Sequence, residues 1–276
     1  SFAAFLANDF APHDAMVLAK AYVTGGIKEP AHEVLEQNDL RPPIGHHGLP
    51  TWLDDFPQVF EEGFPSYSER FAPCPLHLGL YPVVDSVEWI ERLVNQGVKT
   101  IQLRIKDKSD PKLFDKIKAA VDFCEPKAVR LFIDDHYELA IKAHAYGVHL
   151  GMEDLKTADL KSIQKAGLRL GVSTHGAYEM LKAMQLQPSY IALGHIFPTQ
   201  SKKMPSKPQG VFKLALEQEI IQDLVPTVAI GGIKLHNVED VLETGVGSVA
   251  LITGITKADD PDKETQVWLK YCTSGD

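Results

Sequence analysis

The stretch "VRLFIDDHYELAIKAHAYGVHLG", residues 129–151, contains the alternation that decides the fold. It begins with a short apolar run that ends in two aspartates, continues into a segment with helical periodicity, and returns to a second short apolar run. Short runs that are apolar on both faces are typical of buried strands, whereas the middle segment has one apolar face. The stretch therefore predicts a unit of strand, helix and strand.

The same alternation repeats along the chain from about residue 77 onward. Each of eight short apolar runs is followed by a stretch with helical periodicity. The predicted strands are LGLYPVVD, TIQLRIKD, VRLFIDD, GVHLG, RLGVSTH, YIALGHI, TVAIGGI and SVALITGI. Eight such units in roughly 200 residues predict a (β/α)8 TIM barrel over residues 77–276 rather than an open doubly wound sheet. The first strand is not followed by Gly-x-Gly-x-x-Gly, which argues against a dinucleotide-binding fold.

The composition of the 276-residue chain limits the classes of function. Its net charge of -9 argues against a broad nucleic-acid or anionic-membrane surface, so clustered cations indicate a local, specific site. All apolar runs are shorter than the roughly 20 residues that a membrane helix needs. The three cysteines have no metal or redox spacing and are expected to be reduced thiols in a cytoplasmic protein. We therefore expect neither a nucleic-acid nor a membrane partner.

Residues 1–76 follow a different pattern from the barrel region. An amphipathic helix is predicted in "APHDAMVLAKAYVTGGI", and the stretches after it are rich in proline, glycine and aromatic residues. The segment is too short for a second full enzyme domain, so we predict a short, mainly helical and irregular segment that precedes the barrel. His46 and His47 are adjacent but lack nearby acidic or thiol partners, and they are interpreted as loop residues rather than a metal site.

The second predicted strand, "TIQLRIKD", carries polar side chains on only one face. By the strand period of two, isoleucine and leucine side chains share one face, and the other face carries Gln102, Arg104 and Lys106. On an exposed edge strand this pattern would have no special meaning. Inside a barrel, however, such a face needs a ligand or partners, because burying unpaired charge is costly. We therefore predict that these side chains face the barrel mouth and hold a diphosphate through charge-assisted hydrogen bonds.

Acidic side chains follow the third and fourth predicted strands, at the end of the barrel where active sites lie. These residues are Asp134, Asp135, Glu153 and Asp154. Each one can act simply as a helix N-cap. Together, carboxylates from neighbouring strands can also form an oxygen cage suited to Mg2+. Both interpretations remain open from the sequence.

The later strands end in hydroxyl-bearing and small residues. These are Ser173, Thr174 and His175 after strand five, Thr199, Ser201, Lys202 and Lys203 after strand six, Gly231 and Gly232 after strand seven, and Thr253 after strand eight. Hydroxyls beside lysines on a long loop are typical of phosphate ligands, although the loop can also be a simple excursion. The glycines can turn the chain or bind a phosphate through backbone N–H groups. The pattern indicates a second anion site, for a monophosphate.

Taken together, these motifs resemble the thiamin phosphate synthase family, whose members join a pyrimidine diphosphate to a thiazole phosphate. The resemblance covers about residues 77–272 through LGLYPVVDS, QLRIKDK, LFIDDHYELA, GVHLGMEDL, LGVSTH, LGHIFPTQSKK, AIGGI and LITGIT. It implies pyrimidine diphosphate contacts from Gln102, Arg104, Lys106, Asp134, Ser173 and Lys202. It implies Mg2+ as the cofactor, with Asp135 and Asp154 as its ligands. It implies that the thiazole phosphate is held by Thr199, Gln200, Ser201, Gly232, Ile252 and Thr253.

Two positions depart from the usual pattern of the family. The family usually has Asn at the position of Asp134 and Thr at the position of Ser201. Ser201 keeps the hydroxyl group. Asp134 adds a negative charge beside a diphosphate, so it either joins the metal ligands or weakens diphosphate binding by repulsion.

Residues 1–27 have their own resemblance, to the carboxy-terminal helices of hydroxymethylpyrimidine phosphate kinase. The Gly-Thr-Gly-Cys anion-hole motif that precedes these helices in the kinase is absent. This resemblance implies the remnant of a kinase–synthase fusion, with no kinase activity of its own and with a covalently fused kinase in a longer protein.

The synthase resemblance also implies a mechanism. In a dissociative substitution, Mg2+, Arg104, Lys106 and Lys202 would stabilise the departing pyrophosphate, with Ser173 as a further catalytic residue. The thiazole nitrogen that attacks the pyrimidine methyl cation carries no proton, so no general base is required. Two alternatives remain: a thiazole tautomerase of the same fold, with His175 as its base, and a non-catalytic barrel that binds phosphate ligands.

Overall fold

The computed structural model describes residues 1–28, 45, 48–65, 67, 69–199 and 206–272. His46 and His47, interpreted above as loop residues, lie outside these ranges. Over the described residues, eight strands form a closed barrel in sequence order. Before the barrel, the described residues form two α-helices, a short 3-10 turn and irregular stretches. The predicted (β/α)8 TIM barrel with a helical amino-terminal segment is confirmed.

All neighbouring strands in the barrel are parallel, and the first strand closes the barrel against the last. The strands are β1 (Gly79–Val84), β2 (Thr100–Leu103), β3 (Arg130–Asp134), β4 (Gly147–Leu150), β5 (Arg169–Thr174), β6 (Tyr190–Gly194), β7 (Thr227–Ile230) and β8 (Ser248–Leu251). Every residue of β2, β4 and β8 is buried. This burial agrees with strands that are covered on both faces.

Helices cover the outside of the barrel. They are α1 (Phe2–Ala7), α2 (Pro12–Lys28), α3 (Val87–Asn95), α4 (Leu113–Cys124), α5 (Tyr137–Ala143), α6 (Leu160–Lys165), α7 (Ala177–Met184), α8 (Gly210–Ile221), α9 (Val238–Leu242), α10 (Thr253–Thr256) and α11 (Pro261–Cys272). In α3, Ile90, Leu93 and Val94 recur at helical spacing and are buried. The Ser86 hydroxyl accepts a hydrogen bond from the Trp89 backbone N–H at 3.4 Å and caps this helix.

The second strand shows how the sequence alternation produces two environments. Ile101 and Leu103 lie in the apolar layer between the strands and the helices, whereas Gln102 lines the interior cavity described below. The strand ends at Leu103, earlier than its predicted end at Asp107. Residues beyond Leu103 therefore belong to the loop at the barrel mouth, and Lys106 is exposed there.

Aromatic and small side chains fill the inner part of the barrel. This interior layer consists of Leu78, Tyr81, Phe132, Tyr190, Ala192, Val228 and Ala250. The Tyr190 ring lies 5.7 Å from the Tyr81 ring and 5.0 Å from the Phe132 ring, measured between centroids. Several of these side chains also line the cavity at the strand ends. The interior layer is therefore the floor of that cavity.

The amino-terminal segment packs against the barrel. Val17, Leu18 and Phe71 belong to the same apolar core as the outer layer of the barrel. Lys182 of α7, whose exposed fraction is only 3 %, pairs with Glu61 of the segment. The segment therefore covers surface that the barrel would otherwise expose.

Two further expectations concern the cysteines and the membrane. Cys74, Cys124 and Cys272 are free thiols, and burial raises the pKa of Cys124 and of Cys272 to about 12. These two thiols are therefore protonated at neutral pH. In the part of the chain that the structure describes, no helix combines the length and the apolar composition that crossing a bilayer would require.

Candidate active site

A cavity of about 470 Å³ opens at the carboxyl ends of the barrel strands. The predicted site residues that line it are Gln102, Arg104, Asp134, Asp135, Glu153, Asp154, Ser173, Thr174, His175, Thr199, Gly231 and Ile252. They lie on seven different strands, β2 to β8, or in the loops that follow them. The structure therefore brings side chains that are far apart in the sequence into one pocket.

The remaining predicted residues do not line this cavity or are not described. Lys106 is exposed in the loop after β2. Gly232 and Thr253 each follow a lining residue, Gly231 and Ile252 respectively. The residues that lie outside the described part of the chain are Gln200, Ser201, Lys202 and Lys203. The roles given to all of these residues stay predictions.

Asp134 connects two of the residues predicted to bind the diphosphate. Its Oδ1 accepts a hydrogen bond from Gln102 Nε2 at 2.5 Å, and its Oδ2 accepts one from Arg104 Nε at 2.8 Å. The carboxylate is largely buried, and burial raises the pKa of Asp134 although Arg104 opposes the shift. Both carboxylate oxygens are thus engaged, an arrangement that neither sequence interpretation of Asp134 included.

Asp135 and Asp154 lie on the same side of the cavity. Asp135 has a φ of 61°, a left-handed conformation that Asp tolerates better than most residues. Burial raises the pKa of Asp135, and the charges of Asp134 and Asp154 raise it further. Asp154 Oδ2 accepts a long hydrogen bond, 3.3 Å, from the Gly151 backbone N–H. The charge of Asp154 therefore disfavours ionisation of both Asp134 and Asp135.

A buried chain of hydrogen bonds stands beneath Ser173. The Tyr81 hydroxyl lies 2.8 Å from the Tyr190 hydroxyl, which lies 2.7 Å from His149 Nδ1. His149 Nε2 lies 2.7 Å from the Ser173 hydroxyl oxygen. Burial raises the pKa of both tyrosines well above the ordinary value, so they are neutral hydrogen-bonding groups. The chain fixes the Ser173 hydroxyl on the cavity wall.

A histidine and a glutamate form a pair just after β5, two residues beyond Ser173. Glu179 Oε2 accepts a hydrogen bond from the His175 backbone N–H at 2.9 Å and lies 2.9 Å from His175 Nδ1. Burial raises the pKa of Glu179, but its hydrogen bonds to His175 and the charge of that ring outweigh this effect, so the net pKa is lowered. The pair fixes the orientation of the ring.

His195 lines the cavity near this pair. Its Nδ1 is buried and has no hydrogen-bond partner among the described residues. Burial lowers the pKa of His195, and the charge of His175 lowers it further. A neutral imidazole therefore stands beside the His175 and Glu179 pair.

The turn after β7 lies directly under the loop that follows β6. Gly232 has a φ of 70°, and a Cβ atom there would lie 2.6 Å from the Pro198 carbonyl oxygen. Glycine is therefore required at position 232, because the turn after β7 and the loop after β6 approach each other closely. Gly231 and Ile252 line the cavity, and the short helix α10 begins at Thr253. This combination of a glycine turn and a short extra helix is the place where such barrels often bind phosphate.

Several polar groups of this site are absent from the residues predicted above. His149 could have been found, because it alternates with apolar neighbours in "GVHLG" as Gln102 does in β2. Glu179 lies four residues after His175, which places the two side chains together at the start of a helix. Lys108 lowers the pKa of Asp135 through its charge, and nothing in the sequence pattern distinguished it from other loop lysines.

Comparison with known proteins identifies the barrel. The chain matches the thiamine monophosphate synthase family over residues 80–255. It is 56% identical over 210 residues to the thiamine-phosphate synthase of Citrobacter koseri, an alignment that covers 76% of this chain and 99% of that protein. The thiamine-phosphate synthase of Salmonella typhimurium is equally similar, at 56% identity with the same shares covered. Among solved structures, the thiamine phosphate pyrophosphorylase of Pyrococcus furiosus aligns with a TM-score of 0.63 and 29% identity, covering 71% of this chain and 95% of that chain. This chain therefore belongs to the thiamine monophosphate synthase family.

Proposed function

We propose that this chain is a thiamin phosphate synthase whose active site is the cavity at the barrel mouth. In this reaction, 4-amino-2-methyl-5-pyrimidinylmethyl diphosphate and 4-methyl-5-(2-phosphoethyl)thiazole give thiamin phosphate and pyrophosphate. The observation that carries the proposal is the division of one cavity into two halves. Cation and carboxylate side chains lie at the ends of β2 to β4, and a glycine turn with a short helix lies at the ends of β7 and β8.

The β2 to β4 half suits the diphosphate of the pyrimidine substrate. Arg104 lines the cavity and offers a guanidinium whose fork matches phosphate oxygens. Gln102 is held beside it by Asp134. Lys106, exposed in the next loop, and Lys202, outside the described residues, are assigned to the same group by family resemblance. Ser173 contributes a hydroxyl that His149 holds in place.

The residues present also fit Mg2+. Asp135 and Asp154 provide the carboxylate oxygens that this ion prefers, and their crowding with Asp134 would be relieved by a cation. Within the described residues, no cluster of three or more His, Cys, Asp and Glu side chains could hold a metal by itself. That finding agrees with the usual preference of Mg2+ for one or two carboxylates supplemented by substrate phosphates and water. When bound, Mg2+ would neutralise charge on the departing pyrophosphate.

The protein side chains carry out three tasks in the proposed reaction. Arg104 binds the diphosphate and stabilises its growing negative charge as the bond to the pyrimidine methylene carbon breaks. The neutral interior layer formed by Tyr81, Tyr190 and their neighbours excludes water from the resulting cation. The thiazole nitrogen then attacks this cation. Because that nitrogen carries no proton, the step needs no general base.

The β7 and β8 half suits the thiazole phosphate. Thr199 and Ile252 line the cavity there, and Gly232 and Thr253 adjoin it. Backbone N–H groups at a glycine turn and at the start of a helix are suited to phosphate oxygens. Gln200 and Ser201 are assigned to this phosphate by family resemblance alone.

A thiazole tautomerase is the second candidate, because Glu179 orients His175 in the same cavity. A tautomerase would convert a thiazole phosphate without any pyrimidine diphosphate. A binding barrel without catalytic activity would turn over neither substrate. The resemblance of residues 1–27 to a kinase also remains a proposal, and no fused kinase is evident in this chain.

A product assay separates these candidates. The purified chain is incubated with both substrates and Mg2+, with each substrate alone, and with both substrates in EDTA. We expect thiamin phosphate and pyrophosphate in equal amounts only when both substrates and Mg2+ are present. Isomerisation of the thiazole phosphate alone, or binding without turnover, would reject the synthase assignment.

A further inference from the structure

Helix α7 begins without a capping side chain of its own. Its N-cap residue is Gly176, which has no side chain to accept a backbone hydrogen bond. The acceptor comes from α2 instead, where Asp14 Oδ1 accepts a hydrogen bond from the Tyr178 backbone N–H at 2.8 Å. Tyr178 is the second residue of α7, a position that N-cap side chains normally serve. Asp14 therefore acts as a cap supplied from a distant segment.

The fit between the two helices is specific. Gly176 has a φ of 144°, and a Cβ atom there would lie 2.4 Å from Asp14 Oδ2. Only glycine leaves room for the carboxylate in this conformation. Asp14 is buried, with an exposed fraction of 6 %. The neighbouring His13 ring packs edge-on against the Tyr178 ring, with 5.3 Å between centroids.

The capped turn leads directly to the cavity. The carboxylate of Glu179, the residue after Tyr178, fixes His175. It accepts a hydrogen bond from the His175 backbone N–H and lies within hydrogen-bond distance of the His175 ring Nδ1. Both Glu179 and His175 line the cavity. The carboxylate of Asp14 is thus separated from the cavity wall by a single turn of helix.

We propose that Asp14 is a positioning residue for the synthase reaction, holding the first turn of α7 so that Glu179 keeps the His175 backbone, and with it the end of β5 that carries Ser173, in place on the cavity wall. The inference rests on the proposed function. Asp14 lies outside the residues 80–255 that match the family, so the match by itself gives this residue no role. The amino-terminal segment is then part of the active-site architecture and not only a cover for apolar surface.

The negative charge of Asp14, rather than its role as a hydrogen-bond acceptor, could also account for an effect on activity, and the two explanations have to be separated. The charges of Lys213, His13 and Glu179 affect the pKa of Asp14. The charge of Asp14 in turn raises the pKa of Glu217 in α8. Burial is the largest influence and raises the pKa of Asp14, against the hydrogen bond from Tyr178. If the charge were essential, asparagine would fail at this position. If the acceptor is essential, asparagine would serve, because its carbonyl oxygen can accept the same hydrogen bond.

Three substitutions of Asp14 test the proposal in steady-state assays of pyrophosphate release. Asp14→Asn should keep kcat within about twofold of the original protein, because it retains the acceptor. Asp14→Ala and Asp14→Glu should lower kcat by about tenfold, since the first removes the acceptor and the second misplaces it. The Glu variant has no room for its longer side chain beside Gly176. If the Ala variant does not fold, the contrast between Asn and Glu carries the test.

Gln185→Ala is the matched control. Gln185 lies at the other end of α7, where its Nε2 donates a hydrogen bond to the Val59 carbonyl of the same amino-terminal segment at 2.7 Å. This variant loosens the contact between segment and helix but leaves the cap intact. We expect lower thermal stability with unchanged kcat. A kcat loss as large as that of Asp14→Ala would show that any loosening of the segment is enough and would overturn the positioning role.

Hydrogen exchange supplies a measurement that does not depend on activity. In Asp14→Ala the amides of Tyr178 and Glu179 should exchange at least about fivefold faster, because a lost cap frees the first turn. In Asp14→Asn and Gln185→Ala they should exchange at the original rate. Unchanged exchange in Asp14→Ala, or wild-type kcat in both the Ala and Glu variants, would refute the inference. Absence of thiamin phosphate formation by the original protein would refute the proposed function instead, and the exchange result would still establish or reject the cap.

Discussion

Replacement of Asp134 by asparagine tests the diphosphate side of the cavity. Asp134 holds Gln102 with one carboxylate oxygen and Arg104 with the other. The negative charge of Asp134 therefore partly neutralises the positive charge of Arg104, the side chain that is proposed to bind the diphosphate. Asparagine has nearly the same shape and keeps one acceptor for Gln102, but it removes the charge facing Arg104.

The expected effect follows from the energy of that interaction. A hydrogen bond between charged groups contributes about 1.5 to 3 kcal/mol. Arg104 is partly exposed, with 23% of its side chain accessible, so the lower end of that range applies. About 1.4 kcal/mol corresponds to a factor of ten in an equilibrium constant. We expect Asp134→Asn to lower the Michaelis constant for the pyrimidine diphosphate by roughly three- to tenfold, since the diphosphate no longer competes with a carboxylate.

The assay combines substrate titrations at saturating Mg2+ with Mg2+ titrations at saturating substrates. Because both oxygens of Asp134 are already engaged, we expect the Mg2+ concentration for half activity to stay within about twofold of the original value. Asp154→Asn is the matched control, as it removes the same charge from the same cavity at a proposed metal ligand. It should raise the Mg2+ requirement. A raised Mg2+ requirement in Asp134→Asn, with no gain in apparent affinity for the pyrimidine diphosphate, would show that Asp134 is a metal ligand.

Three further predictions concern the metal, a buried acid and the amino-terminal segment. Asp135→Ala should abolish most turnover at any Mg2+ concentration in the product assay; full activity in this variant or in EDTA would reject the metal assignment. Burial raises the pKa of Glu217 well above its usual value, so the folded chain keeps a proton that the unfolded chain releases as the pH rises above about 4.3. Glu217→Gln should therefore stabilise the protein by at least about 1 kcal/mol at pH 8 and by little at pH 4 in urea titrations, and an equal gain at both pH values would contradict this. Deletion of residues 1–76 should lower the melting temperature by several degrees or more because Val17, Leu18 and Phe71 leave the shared core, and an unchanged melting temperature would contradict this.

The barrel could be predicted because its signals are local. In β2 the alternation of apolar and polar residues assigns Ile101 and Leu103 to the helical layer and Gln102 to the interior, and the structure agrees. The end of the strand was less predictable. The alternation continues to Lys106, but the strand ends at Leu103, opposite Val84, the last residue of β1.

The arrangement around Asp134 could not be predicted, since it depends on register between strands. Leu103 stands opposite Ile133, so Arg104 and Asp134 continue the two paired strands side by side. A sequence pattern shows which face a residue occupies but not which residue of the next strand it meets. Both sequence interpretations of Asp134 therefore treated its carboxylate as free for metal or ligand. The structure gives it two protein partners first.

The cap on α7 is even harder to predict from a sequence pattern. Asp14 and Tyr178 are separated by 164 positions, and no sequence pattern around either residue predicts their contact. The only local sign is a defect, a helix that begins after glycine where a polar side chain would normally stand. Since an uncapped first turn costs about 1 kcal/mol, its acceptor must come from water or from another part of the fold. Here the acceptor comes from the segment outside the family match, so the catalytic barrel and the helices before it have to be treated as one structure when variants of either are interpreted.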